Sequence, residues 1–412
     1  MKEGLYRFLR KLSGFAGTDL VYLARGGFWL TLEQVVYVVF GLLLTIAFAN
    51  LIPQETLGIY RYVLSVAGVL AIASLPGINK ALIRSAARGF GGSIGSALKV
   101  KIKWALLGSL VGLAFAAYYF FQGNEMLAFS FLIVAAALPF FYSLDIYGPL
   151  LIGKRLFRIF SEYRVVIRII TVALLISVLF LTDNLLLILI AYFLPIILLH
   201  SFFLWLTLRK LPSGQREDKQ LVSYGKHLSL SYVPGTIALY LDRILIFFFL
   251  GPAEVAIYYL AVAPPERLRA LLKNIDKLAL PRFSQRSKKE LKDTILKKSL
   301  KMFLVVGGFI IIYVLAAPWI YRIFFPQYIE SVFYSQIYTI SLLAAVTALS
   351  YSTLEAKKAQ KELYFCRTSS AVLQIVLLFV LIYFYGLLGA VLTKVISKVY
   401  ELAVSLWLVK RF

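Results

Sequence analysis

Twelve apolar stretches of about twenty residues restrict the fold of this chain more than any other feature. A helix of about 20 apolar residues crosses the hydrocarbon core of a bilayer. The chain has 412 residues, of which 61% are hydrophobic and 16% charged, and this leaves too little polar surface for a water-soluble protein. We therefore predict an all-α integral membrane protein with about twelve transmembrane helices, at 28–49, 58–79, 101–121, 127–148, 165–182, 185–207, 227–250, 253–275, 301–325, 332–352, 368–385 and 387–409.

Lysine and arginine gather in every second connection between these stretches. Basic connections occupy 80–103, 153–164, 208–226, 276–301 and 356–367, and basic residues also precede the first stretch and end the chain. Intervening turns such as NLIPQETLG contain neither residue, and Arg322 is the exception. Since cytoplasmic loops collect Lys and Arg, this alternation predicts a multi-pass protein of a prokaryotic cytoplasmic (inner) membrane with both termini in the cytoplasm.

The same distribution accounts for a net charge of +24. Membrane topology and attraction to anionic membrane lipids explain it, whereas nucleic acid is not an expected partner because the basic loops are dispersed and lack a recognition module. The segment 282–299 is either an amphipathic helix on the inner leaflet or a solvated extension of a membrane helix. One cysteine, Cys366, and two histidines, His200 and His227, provide no disulfide framework or histidine-rich metal site, so we expect no metal or cofactor.

A short phrase occurs twice in the sequence. LIPQETLGIY starts at Leu51 and LGPAEVAIYY starts at Leu250, each at a Pro-x-Glu turn between two apolar stretches. Tyr60 and Tyr259 follow at equal distance. We therefore predict two six-helix lobes of the same orientation, 1–210 and 226–412, joined by a cytoplasmic linker at 211–225. Repeats of this kind place a binding site at their interface and indicate alternating access.

Several charged residues fall within the predicted spans, where charge is costly unless it faces a cavity or a partner. They are Glu33, Arg61, Asp145, Asp242, Arg243, Glu266, Arg267, Arg269, Lys394, Lys398 and Glu401. For Arg61, Lys394 and Lys398, pairing between helices or snorkelling is the simpler interpretation. A cavity role is favoured for the charges near 242 and 266, because Pro264 and Pro265 should break that helix and free carbonyls for a cavity or a neighbouring helix.

The order of these motifs resembles the Wzx-type polysaccharide flippases of the MOP exporter superfamily, to which the multidrug MATE transporters are related. The first half carries the resemblance in Gln34, Pro53, Glu55, Gly58, Tyr60, Gly77, Ala81 and Arg84. The second half carries it in Asp242, Arg243, Gly251, Pro252, Glu254, Tyr258, Leu280 and Pro281. The resemblance implies two six-helix lobes in a MATE-like V shape. It also implies export of an undecaprenyl-diphosphate-linked oligosaccharide from the inner to the outer leaflet.

A lipid diphosphate carries about two negative charges, which need cations to replace water inside the membrane. Candidate ligands of the diphosphate are Arg243, Arg267, Arg269, Arg61 and Lys394, since arginine offers paired donors to phosphate oxygens. Candidate charge partners, or binding residues for a coupling H⁺ or Na⁺, are Asp242, Glu266, Glu33 and Asp145. The sequence leaves the choice among them open.

Two other functions are compatible with parts of the sequence. A multidrug or small-solute exporter of the same superfamily is the main alternative. A membrane glycan polymerase or ligase is less favoured, because every predicted outer connection is short. GPLLIGKR at 148–155 approaches a nucleotide-binding loop, but Arg155 stands where that loop needs Ser or Thr. We therefore predict a transporter rather than an enzyme.

Overall fold

The computed structural model describes residues 20–211, 216–272, 288–356 and 359–411. These residues are almost entirely helical and include no β-strand. The predicted all-α membrane fold is therefore confirmed. Leu280, Pro281 and the first part of the basic connection, 276–287, lie outside the described residues.

From Leu20 onward, the first half of the chain forms eight helices. They are α1 Leu20–Leu51, α2 Gln54–Leu70, α3 Gly77–Ala87, α4 Ser93–Phe121, α5 Glu125–Phe141, α6 Tyr147–Gly153, α7 Phe157–Leu181 and α8 Leu185–Lys210. The described residues of the second half form six helices. They are α9 Leu221–Leu250, α10 Pro252–Leu272, α11 Lys288–Phe324, α12 Ser331–Thr339, α13 Thr347–Ala356 and α14 Gln360–Arg411.

Ten helical segments in the described ranges are long and apolar enough to cross a membrane. One of them, 361–411, contains the last two predicted spans, because Gly386 has φ 56° and ψ −132° and interrupts the helical path. The predicted eighth span is α10, which carries too many charges to be counted among the ten. Every one of the twelve predicted spans therefore has a helical counterpart.

Three predicted spans are interrupted by short 3₁₀ segments. In 58–79, α2 passes through a 3₁₀ turn, Ala71–Ser74, and stops where Leu75 adopts a φ of 55° before Pro76. Proline disfavours helical geometry in the residue before it, so α3 starts afresh. In 127–148 and 332–352, the 3₁₀ segments Leu144–Ile146 and Ile340–Val346 separate two helices. The residues of these interruptions are as apolar as the helices beside them, so the hydropathy of the sequence does not reveal where the helices stop.

The described part of the segment 282–299 distinguishes between the two structures predicted for it. From Lys288 onward it is the first part of α11, a helix that continues to Phe324. This favours the extension of a membrane helix over a separate amphipathic helix. The part before Lys288 lies outside the described residues.

The helix ends define two ends of the molecule. We call the end that holds the turns near 52, 123, 183, 251, 327 and 386 the short-turn end, and the end that holds the connections near 90 and 155 the basic end. α1 to α4 of the first half contact α9 and α10 of the second half. Toward the short-turn end, one hydrophobic core includes residues of both halves, such as Tyr62 and Ile246. Toward the basic end, the cores around Leu150 and Leu363 are separate.

The two copies of the repeated phrase contact each other at the short-turn end. A Cβ atom on Gly58 would lie 1.8 Å from the carbonyl oxygen of Pro252, so only glycine permits this approach. Beside it, Gln54 Nε2 donates a hydrogen bond of 3.3 Å to the carbonyl oxygen of Ala253. The two halves are therefore closely packed at this end.

Gly58→Ala should destabilise this arrangement. The added methyl group meets backbone rather than a movable side chain, and overpacking of this kind typically costs about 1–3 kcal/mol. We expect a lower midpoint of thermal unfolding for the purified protein in detergent. Gly307→Ala in α11 is the matched control, because nothing lies within 4 Å of its added Cβ. Equal midpoints for the two variants would contradict the close packing described here.

Candidate functional site

A cavity of about 650 Å³ lies between the two halves. α1 contributes Gln34 and Tyr37, and the remaining wall comes from α9, α10, α12 and α14. The charged residues of the wall are Asp242, Arg243, Glu266, Arg267, Arg269, Lys394 and Lys398. Six of the nine site residues that the sequence singled out therefore line one cavity.

The cavity extends from the middle of the helices toward the basic end. Tyr259 lies seven residues after the start of α10, about 10 Å below the short-turn end at 1.5 Å per residue. Thr45 of α1 and Tyr259 share a hydrogen bond of 3.0 Å between their hydroxyls, which joins the two halves above the cavity. Ala270, near the other end of α10, also belongs to the wall.

Asp242 and Lys394 form a buried ion pair in this wall. Lys394 Nζ lies 2.9 Å from Asp242 Oδ2, and Asp242 is 1% exposed. Tyr258 Oη donates a 2.8 Å hydrogen bond to the same oxygen, and the Arg243 backbone N–H donates to Oδ1. Lys394 also donates to the carbonyl oxygen of Ala238. The charges of Asp242 and Lys394 thus compensate each other, as the pairing interpretation of Lys394 expected.

Two further ion pairs occupy the same region. Arg269 Nη1 lies 3.2 Å from Glu266 Oε1, which also accepts a 2.7 Å hydrogen bond from Tyr338. Lys398 Nζ lies 2.6 Å from Glu401 Oε2. In both pairs the residues are three apart in sequence, so they share one face of a helix.

Arg243 and Arg267 form no ion pair in the described part of the chain. Arg243 Nε is buried and has no hydrogen-bond partner there. These two guanidinium groups therefore give the wall an uncompensated positive charge. Both residues are half-buried, and charge withdrawn from water without a partner is costly, which favours an anion as the ligand of this wall.

A further arginine, Arg168 of α7, completes this cationic group. A Cβ atom on Gly41 would lie 2.8 Å from Arg267 Nη1 and 3.0 Å from Arg168 Nη2, so these two nitrogens are within about 6 Å of each other. Both guanidinium groups also face the ring of Tyr37, at 4.6 Å for Arg168 and 5.4 Å for Arg267. Arg168 has no ion pair among the described residues, and its Nε lacks a hydrogen-bond partner. We call Arg168 and Arg267 the arginine clamp.

The sequence interpretation did not single out Arg168. The predicted span started at 165, so Arg168 fell just inside its edge, next to the basic connection 153–164. In the structure, α7 starts at Phe157, and Arg168 lies roughly 16 Å along the helix. A charged residue within a predicted span is the signal that could have found it.

Arg61 does not reach the cavity wall. Its guanidinium carbon lies 3.5 Å from the ring centroid of Tyr259, which separates it from the cavity. It also faces the rings of Phe48 and Tyr60. Tyr60 and Tyr259, the equivalent tyrosines of the repeated phrase, therefore meet around one arginine.

Glu33 and Asp145 lie in a second cavity, of about 280 Å³, within the first half. Its other charged residues are Arg164 and Arg168, and Tyr37 belongs to the walls of both cavities. Asp145 Oδ1 lies 3.8 Å from Lys101 Nζ. These two carboxylates are therefore not partners of the cations predicted near 242 and 266. Among the described residues, no group of three or more His, Cys, Asp or Glu side chains could hold a metal ion.

The helix is not broken at Pro264 and Pro265, contrary to expectation. α10 continues through both residues to Leu272. Pro264 has no N–H, so the carbonyl oxygen of Leu260 lacks its usual helical donor. Tyr321 Oη supplies the missing donor at 2.8 Å. A neighbouring helix thus satisfies this carbonyl.

Comparison with known proteins identifies a matching family and solved structures of the same fold. The model of the family described as "Polysaccharide biosynthesis protein" matches residues 23–285. No curated protein matches the sequence.

Three solved structures illustrate the shared fold. The lipid II flippase MurJ, in an inward closed conformation, has a TM-score of 0.65 at 13% identity and covers 94% of this chain and 87% of its own. A MOP superfamily transporter from Pyrococcus furiosus, described as having a binding pocket of reverse polarity, has a TM-score of 0.62 at 14% identity, with 94% of each chain covered. An inward-facing multidrug resistance MATE family transporter has a TM-score of 0.61 at 14% identity. The match covers 92% of this chain and 97% of the transporter. At these identities the likeness shows the fold.

Proposed function

This chain belongs to the polysaccharide biosynthesis protein family, and from that membership we propose that it flips an undecaprenyl-diphosphate-linked oligosaccharide across the membrane. The chain is a multi-pass membrane protein with the fold of MOP superfamily transporters. Movement from the inner to the outer leaflet by alternating access between two six-helix lobes is part of the proposal. Coupling to H⁺ or Na⁺ stays a prediction.

The arginine clamp is the observation that carries this proposal. Two guanidinium groups within about 6 Å of each other, without carboxylate partners in the described part of the chain, match the charge of a diphosphate. Arginine presents paired donors in a planar fork that fits phosphate oxygens. Arg243 adds a third uncompensated cation in the same cavity.

The position of the clamp indicates how binding is linked to movement. Arg168 belongs to the first half and Arg267 to the second, so the two halves repel each other here when no anion is present. A diphosphate between them replaces repulsion by attraction. A ligand shifts a conformational equilibrium by its difference in affinity for the two states. We infer that diphosphate binding favours the state in which the halves are close at this point.

The proposed orientation places the basic end in the cytoplasm, as the distribution of Lys and Arg indicates. The cavity, which extends toward the basic end, then accepts substrate from the inner leaflet, and the prenyl chain remains in lipid. A cysteine at Asn124, on the short-turn end, should react with an impermeant maleimide added to intact cells.

Cationic drug export is the second candidate, because MATE transporters share the fold. The unpaired charges of the cavity wall argue against it. Arg243, Arg267 and the adjoining Arg168 are positive, and they would repel a cationic drug.

Complementation of a flippase-deficient host tests the proposal. We expect expression of this chain to restore surface glycan, scored with a lectin or antiserum. The host should be supplied with the glycan assembly genes that accompany the chain, so that a matching substrate is present. Normal insertion without surface glycan would contradict the proposal, and resistance to cationic drugs in the same cells would support the exporter instead.

A further inference from the structure

We propose that the 280 Å³ cavity of the first half binds a neutral sugar ring, the one attached directly to the diphosphate. This inference rests on the proposed function and assigns a sugar site beside the arginine clamp. The cavity is enclosed by α1, α5, α7 and α8 and the 3₁₀ turn Leu144–Ile146. We call it the side cavity.

The covalent structure of the substrate restricts where the first sugar lies. It is bonded to the diphosphate, so it must occupy space adjoining the clamp. Arg168 belongs both to the clamp and to the wall of the side cavity. Tyr37, which both clamp arginines face, lines the side cavity and the larger cavity. The side cavity therefore adjoins the position proposed for the diphosphate.

The wall of the side cavity has the chemistry that recognises a sugar. The carboxylates of Glu33 and Asp145 accept hydrogen bonds from sugar hydroxyls, and charge-assisted bonds of this kind are the stronger ones. Asp145 is 31% exposed while its partner Lys101 is 1% exposed, so the carboxylate is available and the lysine is not. The rings of Tyr142 and Tyr192 in the same wall offer apolar faces for the C–H side of a sugar ring.

Unsatisfied polar atoms in the wall also indicate a polar ligand. Thr171 Oγ1 and Arg168 Nε are buried and have no hydrogen-bond partner among the described residues. Buried polar groups are normally hydrogen-bonded, so these atoms leave hydrogen-bonding capacity in the wall. Arg168 Nε can only donate a hydrogen bond, whereas Thr171 Oγ1 can donate or accept one.

The same wall disfavours the other parts of the substrate. The two carboxylates and two guanidinium groups of this wall balance each other, which favours a neutral ring over a second phosphate or an acidic sugar, and these four charged residues disfavour a prenyl chain. The volume is small beside the roughly 300–1,000 Å³ of pockets for drug-sized ligands, which suits a single ring. The remaining sugars then extend toward the larger cavity or the basic end.

The test compares two lipids on the purified full-length protein. One is undecaprenyl diphosphate, and the other is undecaprenyl diphosphate N-acetylglucosamine. Native mass spectrometry gives the affinity for each lipid and hence the preference for the sugar-bearing one. We expect wild-type protein to prefer the sugar-bearing lipid, and Glu33→Gln and Asp145→Asn each to reduce this preference by about tenfold.

Two further variants complete the design. Glu162→Gln in α7 is the matched control, because Glu162 is exposed and pairs with Arg158 outside the side cavity. Arg267→Ala should weaken binding of both lipids. Glu33 forms no ion pair among the described residues, so Glu33→Gln remains informative even if loss of the Lys101 pair makes Asp145→Asn unstable.

The outcomes separate the two proposals. A wild-type protein that binds neither lipid would overturn the proposed function. A protein that binds both lipids equally, or one whose preference survives Glu33→Gln in folded protein, would overturn the sugar site alone. Reduced preference in the Glu33 variant with wild-type preference in the Glu162 control would support it.

Discussion

Replacing Arg267 with alanine is expected to abolish glycan export while the protein still inserts in the membrane. The substitution removes one of two guanidinium groups that share the space beside Gly41. Hydrogen bonds to charged groups are worth about 1.5–3 kcal/mol each, so the loss of a paired contact should weaken diphosphate binding by about 100-fold or more. Export is measured as surface glycan in the complemented host, and insertion as protein in the membrane fraction.

Three further variants test whether this loss of export comes from the clamp. Arg168→Ala should have the same effect, since it removes the other half of the clamp. Arg267→Lys should retain partial export, because lysine keeps the charge without the fork. Arg322→Ala is the matched control, an exposed arginine at the last turn of α11, and should export normally. Normal export by both clamp variants would exclude the clamp as the diphosphate site.

Asp242→Ala should severely destabilise the protein. It leaves Lys394 buried without its carboxylate, and it removes the acceptor for Tyr258 and for the Arg243 backbone N–H. Breaking a buried ion pair by removing one partner typically costs about 3–5 kcal/mol. We expect little folded protein by size-exclusion chromatography in detergent, and a strongly lowered unfolding temperature for what remains.

The double variant Asp242→Leu with Lys394→Met isolates the cause. Replacing both members of a buried pair with apolar residues is often neutral or stabilising, so much of the stability should return. Glu162→Gln, which breaks an exposed pair with Arg158, is the control and should change stability by less than about 1 kcal/mol. A double variant as unstable as Asp242→Ala would show that the pair does not determine stability here.

The helices were predictable because crossing a bilayer requires apolar length, and length and composition are properties of the sequence itself. The pairs Glu266–Arg269 and Lys398–Glu401 were predictable for a similar reason, since their spacing fixes them on one helix face. The pairing of Asp242 with Lys394 joins α9 to α14 and could be proposed only in general terms. Distance along the chain carries no information about which helices are neighbours.

The arginine clamp is the part of the candidate site that the sequence alone could not predict. The position of Arg267 within a predicted span marks it as a candidate, whereas Arg168 lies at the edge of another span, next to a basic connection. What joins them is Gly41, whose missing side chain leaves room for two guanidinium groups. That role of a glycine depends on three helices meeting at one point. The continuous helix through Pro264 has the same origin, since Tyr321 comes from a different helix.

The contact between the two Pro-x-Glu turns bears on how such a chain arises. Gly58 and Gln54 of one copy touch Pro252 and Ala253 of the other, so a segment packs against its own counterpart. Contacts of like against like are those that two identical subunits make around a twofold axis. Joining two copies of one ancestral chain end to end would preserve a surface through which they had already paired. Such a fusion would make the pairing permanent and would let each copy change independently of the other.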